Sequence, residues 1–248
     1  MSRILITGAT GTIGTNLTRH LKGKHDLVLV DIDFSSFPED LKQGVEIIKD
    51  DLIELEAWDG LLDDVEYVIQ LAANPDPDAD FYDELVGLNY VLPQNLYKKA
   101  MDASKLKRII FASSIHASDA YPDNVQVKTT DQPRPDDLYG VSKVYIEALA
   151  SYYAFNKGIE SIGIRIGDYK SDDSELDPDS DFNGMAMYFS ARDMNHLIDR
   201  CLEAELLEPY LLVNGISNNT FPRLDIHSAK VKLGYEPQDN AFEKLNKL

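Results

Sequence analysis

A chain of 248 residues with 44% hydrophobic and 27% charged residues has the balance of a globular protein, long enough to bury roughly 70–75% of its unfolded surface without disulfides or metals as staples. Its 43 acidic against 24 basic residues give a formal net charge of -19, a surface that repels phosphodiester backbones and anionic lipid heads, so nucleic-acid and membrane-surface roles are excluded as expectations. No apolar run approaches the roughly 20 residues that span a bilayer, the start MSRILITG does not read as a secretory leader, and the single cysteine, Cys201, fits a reducing cytoplasm.

In chain order, short apolar runs read as buried strands: 4–7 (ILIT), 27–32 (LVLVDI), 45–49 (VEIIK), 65–73 (VEYVIQLAA), 108–114 (RIIFASS), 161–167 (SIGIRIG) and 210–216 (YLLVNGI). Segments 12–22, 81–103, 138–157 and 191–205 show apolar spacing near 3.6 and read as helices. Strands alternating with helices predict an α/β fold, a doubly wound parallel sheet of Rossmann type covered on both faces. Residues 1–167 form the expected dinucleotide-binding domain, and 168–248 a small C-terminal substrate lobe interleaved with the last strands. Residues 168–183 are acidic and poor in apolar side chains, and read as a loop.

The run ILITGATGTIGTNL sets Gly8, Gly11 and Gly14 between the first strand and first helix. That is where a chain must turn sharply, approach a pyrophosphate and offer it the helix N-terminus. Asp31 ends the second strand, 23 residues after Gly8. A carboxylate there accepts hydrogen bonds from ribose hydroxyls and repels a 2′-phosphate, so NAD is the expected cofactor in place of NADP. Tyr139 and Lys143 in DLYGVSK share a helix face. A phenol has a pKa near 10 and needs a neighbouring cation to act as a base near neutrality. The strand RIIFASS ends in Ser113 and Ser114, where a serine can meet the same substrate oxygen.

Taken together, TGATGTIG (7–14), Asp31, DDL (50–52), QLAA (70–73), Asn89, FASS (111–114) and YGVSK (139–143) resemble the extended short-chain dehydrogenase/reductase family over essentially the whole chain. The resemblance implies that Gly8, Thr10, Gly11, Thr12, Ile13 and Gly14 hold the pyrophosphate and Asp31 the adenosine ribose. Asp51 and Leu52 would hold the adenine, while Leu71, Ala72, Ala73 and Asn89 lie along the cofactor. It further implies that Ser114 orients the substrate oxygen, Tyr139 is the acid/base, and Lys143 holds the nicotinamide ribose while lowering the Tyr139 pKa. Ser114 rather than Ser113 aligns with the family serine, and consecutive strand side chains point oppositely.

Only 105 residues, 144 to 248, follow Lys143, short for a lobe that holds a nucleotide sugar. SSIHA (113–117), IRIGD (164–168) and the tail are similar to the short uronate dehydrogenase group and its relatives that oxidise glucose 6-phosphate. Oxidation of a sugar C1 hydroxyl by NAD is therefore implied, with Asn74, Ser114, Ile115, His116 and Asn183 on the substrate side. Two departures bear on the substrate: Ile115 stands where the group carries an asparagine, and Asn183 where it carries an anion-binding arginine. Beside Asn183 the loop bears Asp168, Asp172, Asp173, Glu175, Asp177, Asp179 and Asp181, so an uncharged sugar or related alcohol is expected. A sugar epimerase or dehydratase with recycled NAD stays open as an alternative, as does a non-catalytic dinucleotide-binding regulator. No metal is expected: the Asp177-Pro-Asp179-Ser-Asp181 run lacks the glycine and glutamate of a calcium loop. Helices 81–103 and 138–157 are the pair that members of the resembled family often bring together across a dimer axis, so the resemblance implies a homodimer; cover of their apolar faces within the monomer is the alternative.

Overall fold

The computed structural model describes residues 1–247. Seven strands form one parallel sheet: β1 (Arg3–Thr7), β2 (Asp26–Asp31), β3 (Glu46–Lys49), β4 (Tyr67–Gln70), β5 (Arg108–Ser114), β6 (Ser161–Ile166) and, after two short strands outside this sheet, β9 (Tyr210–Gly215). Their order is β3-β2-β1-β4-β5-β6-β9. All seven sequence-predicted strands are present, because a parallel strand covered on both faces must be apolar throughout and is legible as an unbroken run. The order reverses direction at β1, which pairs β2 on one side and β4 on the other. That switch point opens a crevice at the strands' carboxyl ends, where the glycine turn emerges.

The helices are α1 (Thr12–Leu21), α2 (Glu39–Lys42), a π-helical segment Phe81–Val91 running into α3 (Leu92–Ala100), α4 (Leu138–Lys157), α5 (Phe182–Met187), α6 (Ala191–Glu203), α7 (His227–Leu233) and α8 (Ala241–Lys244). The predicted helix 81–103 is thus two pieces. Pro93 sits at its junction and has no N–H for an α-helical bond to residue 89, while its ring crowds that carbonyl; the wider π turn upstream accommodates both. Helix α4 starts on the Asp137 carboxylate, which accepts from Gly140 N, and stops at Gly158 in the left-handed conformation (φ 74°).

One face of the sheet packs Ile6, Ile110 and Ile164 against Leu17 and Leu21 of α1 and Leu197 and Ile198 of α6. The other packs Leu5, Val68 and Phe111 against Leu96 of α3 and Ile146 and Ala150 of α4. Helix α6 therefore lies beside α1, on the face opposite α3 and α4, although β9 extends the sheet in the same direction as β5 and β6. The β6–α6–β9 crossover is consequently left-handed, against the strong right-handed rule for such units.

Residues 168–190 make this reversed crossing. They hold β7 (Asp168–Lys170) and β8 (Tyr188–Ser190), a parallel pair outside the main sheet, and α5. A satellite core of Leu176, Met185, Ala186, Tyr188, Ala241 and Phe242 joins this segment to α8. The tail from 168 is thus divided: β9 completes the main sheet, α6, α7 and Phe189 of β8 pack in the main core, and α5 and α8 share the satellite cluster. No helix among the described residues is long and apolar enough to cross a membrane.

Candidate active site

The glycine turn is shaped by contacts that leave no room for a side chain. Gly8 has φ +67°, and a Cβ there would fall 2.7 Å from Ala72 N; one at Gly14 would fall 2.3 Å from Gly8 O. The turn is thereby pressed against the end of β4. Gly11 caps α1 without a side-chain hydrogen bond, so the first N–H groups of the helix are open to an anion.

Asp31 holds this turn as well as facing the crevice. Its Oδ2 accepts from Thr10 N at 2.9 Å and Thr10 Oγ1 at 2.8 Å, and Oδ1 accepts from Ile32 N at 2.8 Å. Asp31→Ala is expected to weaken NADH binding ten- to a hundredfold, the loss of about 1.5–3 kcal/mol of hydrogen bonding to a charged group, and to narrow the preference over NADPH. Paired fluorescence titrations check both, and an unchanged NADH affinity would remove Asp31 from the site.

A cleft of about 660 Å³ runs from Asp31 and Asp51 past the glycine turn to Tyr139. Of the residues expected at the cofactor, Thr10, Thr12, Ile13, Leu52, Leu71, Ala72 and Ala73 line it, together with Gly8, Gly11 and Gly14; at its far end stand Ser114, Tyr139 and Lys143. Five expected residues are not in its wall. Asn89 is buried behind it with its amide spent: Oδ1 accepts from Asn74 N at 2.8 Å, and Nδ2 donates to Asn74 O at 3.0 Å and Ser142 Oγ at 2.9 Å. Asn89 therefore fixes the loop at Asn74, whose own Oδ1 accepts from Asp76 N. Ile115 is buried in the main core, so its side chain serves packing, which is why an aliphatic residue is tolerated there. Asn183 lies in the first turn of α5. His116 packs edge-to-face on the Tyr139 ring, centroids 5.3 Å apart.

The lining also includes Ile166, Gly167, Tyr169 and Glu175. Ile166 and Gly167 follow from the rule that ligands lie beyond strand carboxyl ends. Tyr169 and Glu175 have no local sequence signal, since only the fold of the reversed crossing brings them to the cleft.

At the Tyr139 end, burial pushes the phenol above its ordinary value, although a hydrogen-bonding Ser114 side chain pulls it down. This departs from the expected depression by Lys143. The Lys143 ammonium lies over the Tyr139 ring, 5.2 Å from its centroid, and donates to Ala112 O at 3.2 Å. Burial lowers Lys143 itself to about 8, with Glu147 opposing. Its remaining N–H groups have no acceptor among the described residues, which leaves them for a ligand. Uncapped helix N–H groups, an acidic residue at the second strand and a buried lysine with spare donors together fit NAD.

Behind Lys143 lies a buried ion pair that no motif announced. Arg165 on β6 donates through Nε and Nη2 to the two Glu147 carboxylate oxygens, both at 2.8 Å, and Ser113 Oγ donates to Oε1 at 2.5 Å.

The acids of residues 168–183 do not roof the cleft as a group. Asp172, Asp177 and Asp181 accept from the backbone N–H of Ser174, Asp179 and Gly184. Asp168 pairs with Lys170 and Asp173 with Lys244, and only Glu175 reaches the lining. Negative charge gathers elsewhere: His116, Asp119 and Asp136 bring polar atoms within 4.8 Å of one another, and His116 Nδ1 meets Asp137 Oδ2 at 2.6 Å. Among the described lining residues Lys143 is the one cation.

Three similarities set this geometry in context. The chain is 33% identical to the NAD-dependent glucose-6-phosphate dehydrogenase of Haloferax volcanii over 97% of its own length and 94% of that protein. It is 32% identical to the L-arabinose 1-dehydrogenase (NAD(P)(+)) of the same organism, covering 97% and 98%. The crystal structure of glucuronic acid dehydrogenase from Chromohalobacter salexigens superposes with a TM-score of 0.86 at 32% identity, covering 99% of this chain and 89% of that one. Residues 4–209 match the model of the NAD dependent epimerase/dehydratase family, and with its glycine turn, Asp31 and Tyr139–Lys143 helix the chain belongs to that family.

Proposed function

We propose that this protein is a dehydrogenase that oxidises the C1 hydroxyl of an uncharged small sugar, or a related alcohol, with NAD as acceptor. The observation that carries the reading is the meeting of Ser114, Tyr139 and Lys143 at one end of a cleft whose other end is built for a dinucleotide, with Lys143 the one cation in its described lining. NAD, when bound, supplies the hydride acceptor. Tyr139 Oη takes the hydroxyl proton, and Ser114 Oγ shares the hydroxyl oxygen and holds it beside the phenol. Lys143 donates to the cofactor and keeps positive charge next to the developing phenolate. Residues from 168 onward build the substrate side through Tyr169 and Glu175.

Both curated relatives named above act on sugars, one of them phosphorylated. The acids around His116 favour an uncharged substrate, since Asp119, Asp136 and Asp137 set a negative field beside the Tyr139 ring that a phosphate or carboxylate would have to enter. A panel of uncharged aldoses, glucuronate and glucose 6-phosphate, each supplied with NAD and followed by NADH absorbance, tests this. Uncharged aldoses are expected to give kcat/KM at least tenfold above the anions; the reverse order sinks the uncharged reading. Stoichiometric NADH release marks a dehydrogenase, whereas an epimerase retains it.

A homodimer and a cytoplasmic setting complete the proposal. Leu138, Val141, Tyr152 and Phe155 leave an exposed apolar stripe along α4, a face suited to a second copy. Cys201 is buried and free, so nothing in the chain requires an oxidising compartment.

A further inference from the structure

Asp137 uses both of its carboxylate oxygens on different elements. Oδ1 accepts from Gly140 N at 2.5 Å and starts α4; Oδ2 meets His116 Nδ1 at 2.6 Å. The His116 ring rests on Tyr139, and its backbone N–H donates to Ser114 Oγ at 3.2 Å. The imidazole is thus attached to the cap of α4 and to Tyr139, while the backbone of the same residue is tied to Ser114. Its side chain is 30% exposed, and Nε2 is left without a partner among the described residues.

A carboxylate can only accept, so the imidazole nitrogen facing it must carry the hydrogen. In the neutral ring this puts a lone pair on Nε2. We propose that Asp137 is a positioning residue that fixes the tautomer of His116, so that Nε2 is a hydrogen-bond acceptor beside Tyr139 and selects a substrate offering a hydroxyl hydrogen there. This rests on the sugar dehydrogenase reading and adds which feature of the sugar is recognised: a neutral donor group. An anionic oxygen has no hydrogen to give Nε2, and it would lie near the carboxylates of Asp119, Asp136 and Asp137.

The test is Asp137→Asn. Asparagine is as good a helix cap as aspartate, so α4 keeps its start and the melting temperature is expected to stay within a few degrees. With its Oδ1 still on Gly140 N, the amide turns its NH₂ toward His116, and a donor at that place drives the ring to the Nε2–H tautomer. Long-range ¹H–¹⁵N spectra of histidine-labelled protein at pH 8 should show Nδ1–H in the natural protein and Nε2–H in the variant. With the best uncharged aldose, kcat/KM should fall about tenfold, mostly through KM, with NADH affinity unchanged. In a His116→Ala background the same substitution should cost nothing further, which a purely structural role of Asp137 would not produce.

An Nε2–H or doubly protonated ring in the natural protein, or the same tautomer in both proteins, overturns the proposal. So does a switched tautomer with unaltered kinetics. Absence of turnover with every aldose would strike down the sugar reading instead, and the spectra decide the tautomer without any substrate.

Discussion

Tyr139→Phe is expected to lower kcat/KM by two to four orders of magnitude, the range spanned by a positioned general acid or base, while NADH binds within a factor of two of its natural affinity. The variant keeps the ring that packs on His116 and lies under Lys143 and loses only the oxygen proposed to take the proton. The pH dependence follows from the burial of this side chain. Oxidation consumes the deprotonated phenol, and burial favours the protonated one. The rate in the natural protein should therefore climb with pH, nearly tenfold per unit while the phenol is mostly protonated, and Tyr139→Phe should remove that climb. Substantial turnover by the variant, or the same climb in its residual rate, would assign the proton to another group.

The second large effect concerns stability. Glu147 and Arg165 are both buried, in a two-point ion pair that Ser113 completes. Arg165→Met would leave the Glu147 carboxylate desolvated and unpaired, and breaking such a pair from one side costs about 3–5 kcal/mol. Urea unfolding should show that loss as a lowered midpoint. Glu147→Gln added to Arg165→Met should restore most of it, because the glutamine carbonyl still accepts from Ser113 and no carboxylate is left buried without its arginine.

The sign of its pH dependence is fixed. In the single variant the stranded carboxylate prefers its proton in the folded state, so the folded chain binds more protons than the unfolded one. Its deficit against the natural protein should then be smaller at pH 5 than at pH 8. A single variant as stable as the natural protein would show that water reaches Glu147.

These two sites differ in how far the sequence discloses them. Tyr139 and Lys143 are four residues apart on one helix, and Gly8, Gly11 and Gly14 lie within one turn, so local spacing reveals them. Glu147 and Arg165 are 18 positions apart on α4 and β6, and nothing local marks an arginine in an apolar strand as the partner of a particular helical glutamate. The same holds for β7 and β8, three residues each and paired across 20 positions, too short to show a period.

Side-chain direction was the other hidden quantity. The family resemblance implies Asn89 along the cofactor and Ile115 beside the sugar. Packing turns the first into a clamp on Asn74 and the second into core. The acids of 168–183 look like a charged roof as a string of letters, yet Asp172 and Asp181 are helix caps and Asp177 closes a turn, a use of aspartate that depends on turn geometry rather than on net charge.

The left-handed crossover has a thermodynamic corollary. Because it brings Gly167, Tyr169 and Glu175 to the same cleft as the glycine turn, the cleft is bounded by chain from both ends of the fold: Gly8 to Gly14 in one part of its wall, Gly167, Tyr169 and Glu175 in another. A dinucleotide lying between them is a noncovalent tether joining the first βα turn to the last third of the polypeptide. Its binding free energy adds to the cohesion of the whole fold, about 2.7 kcal/mol when free cofactor stands at one hundred times its Kd. The resistance of this protein to unfolding is thereby linked to the cofactor pool in which it works.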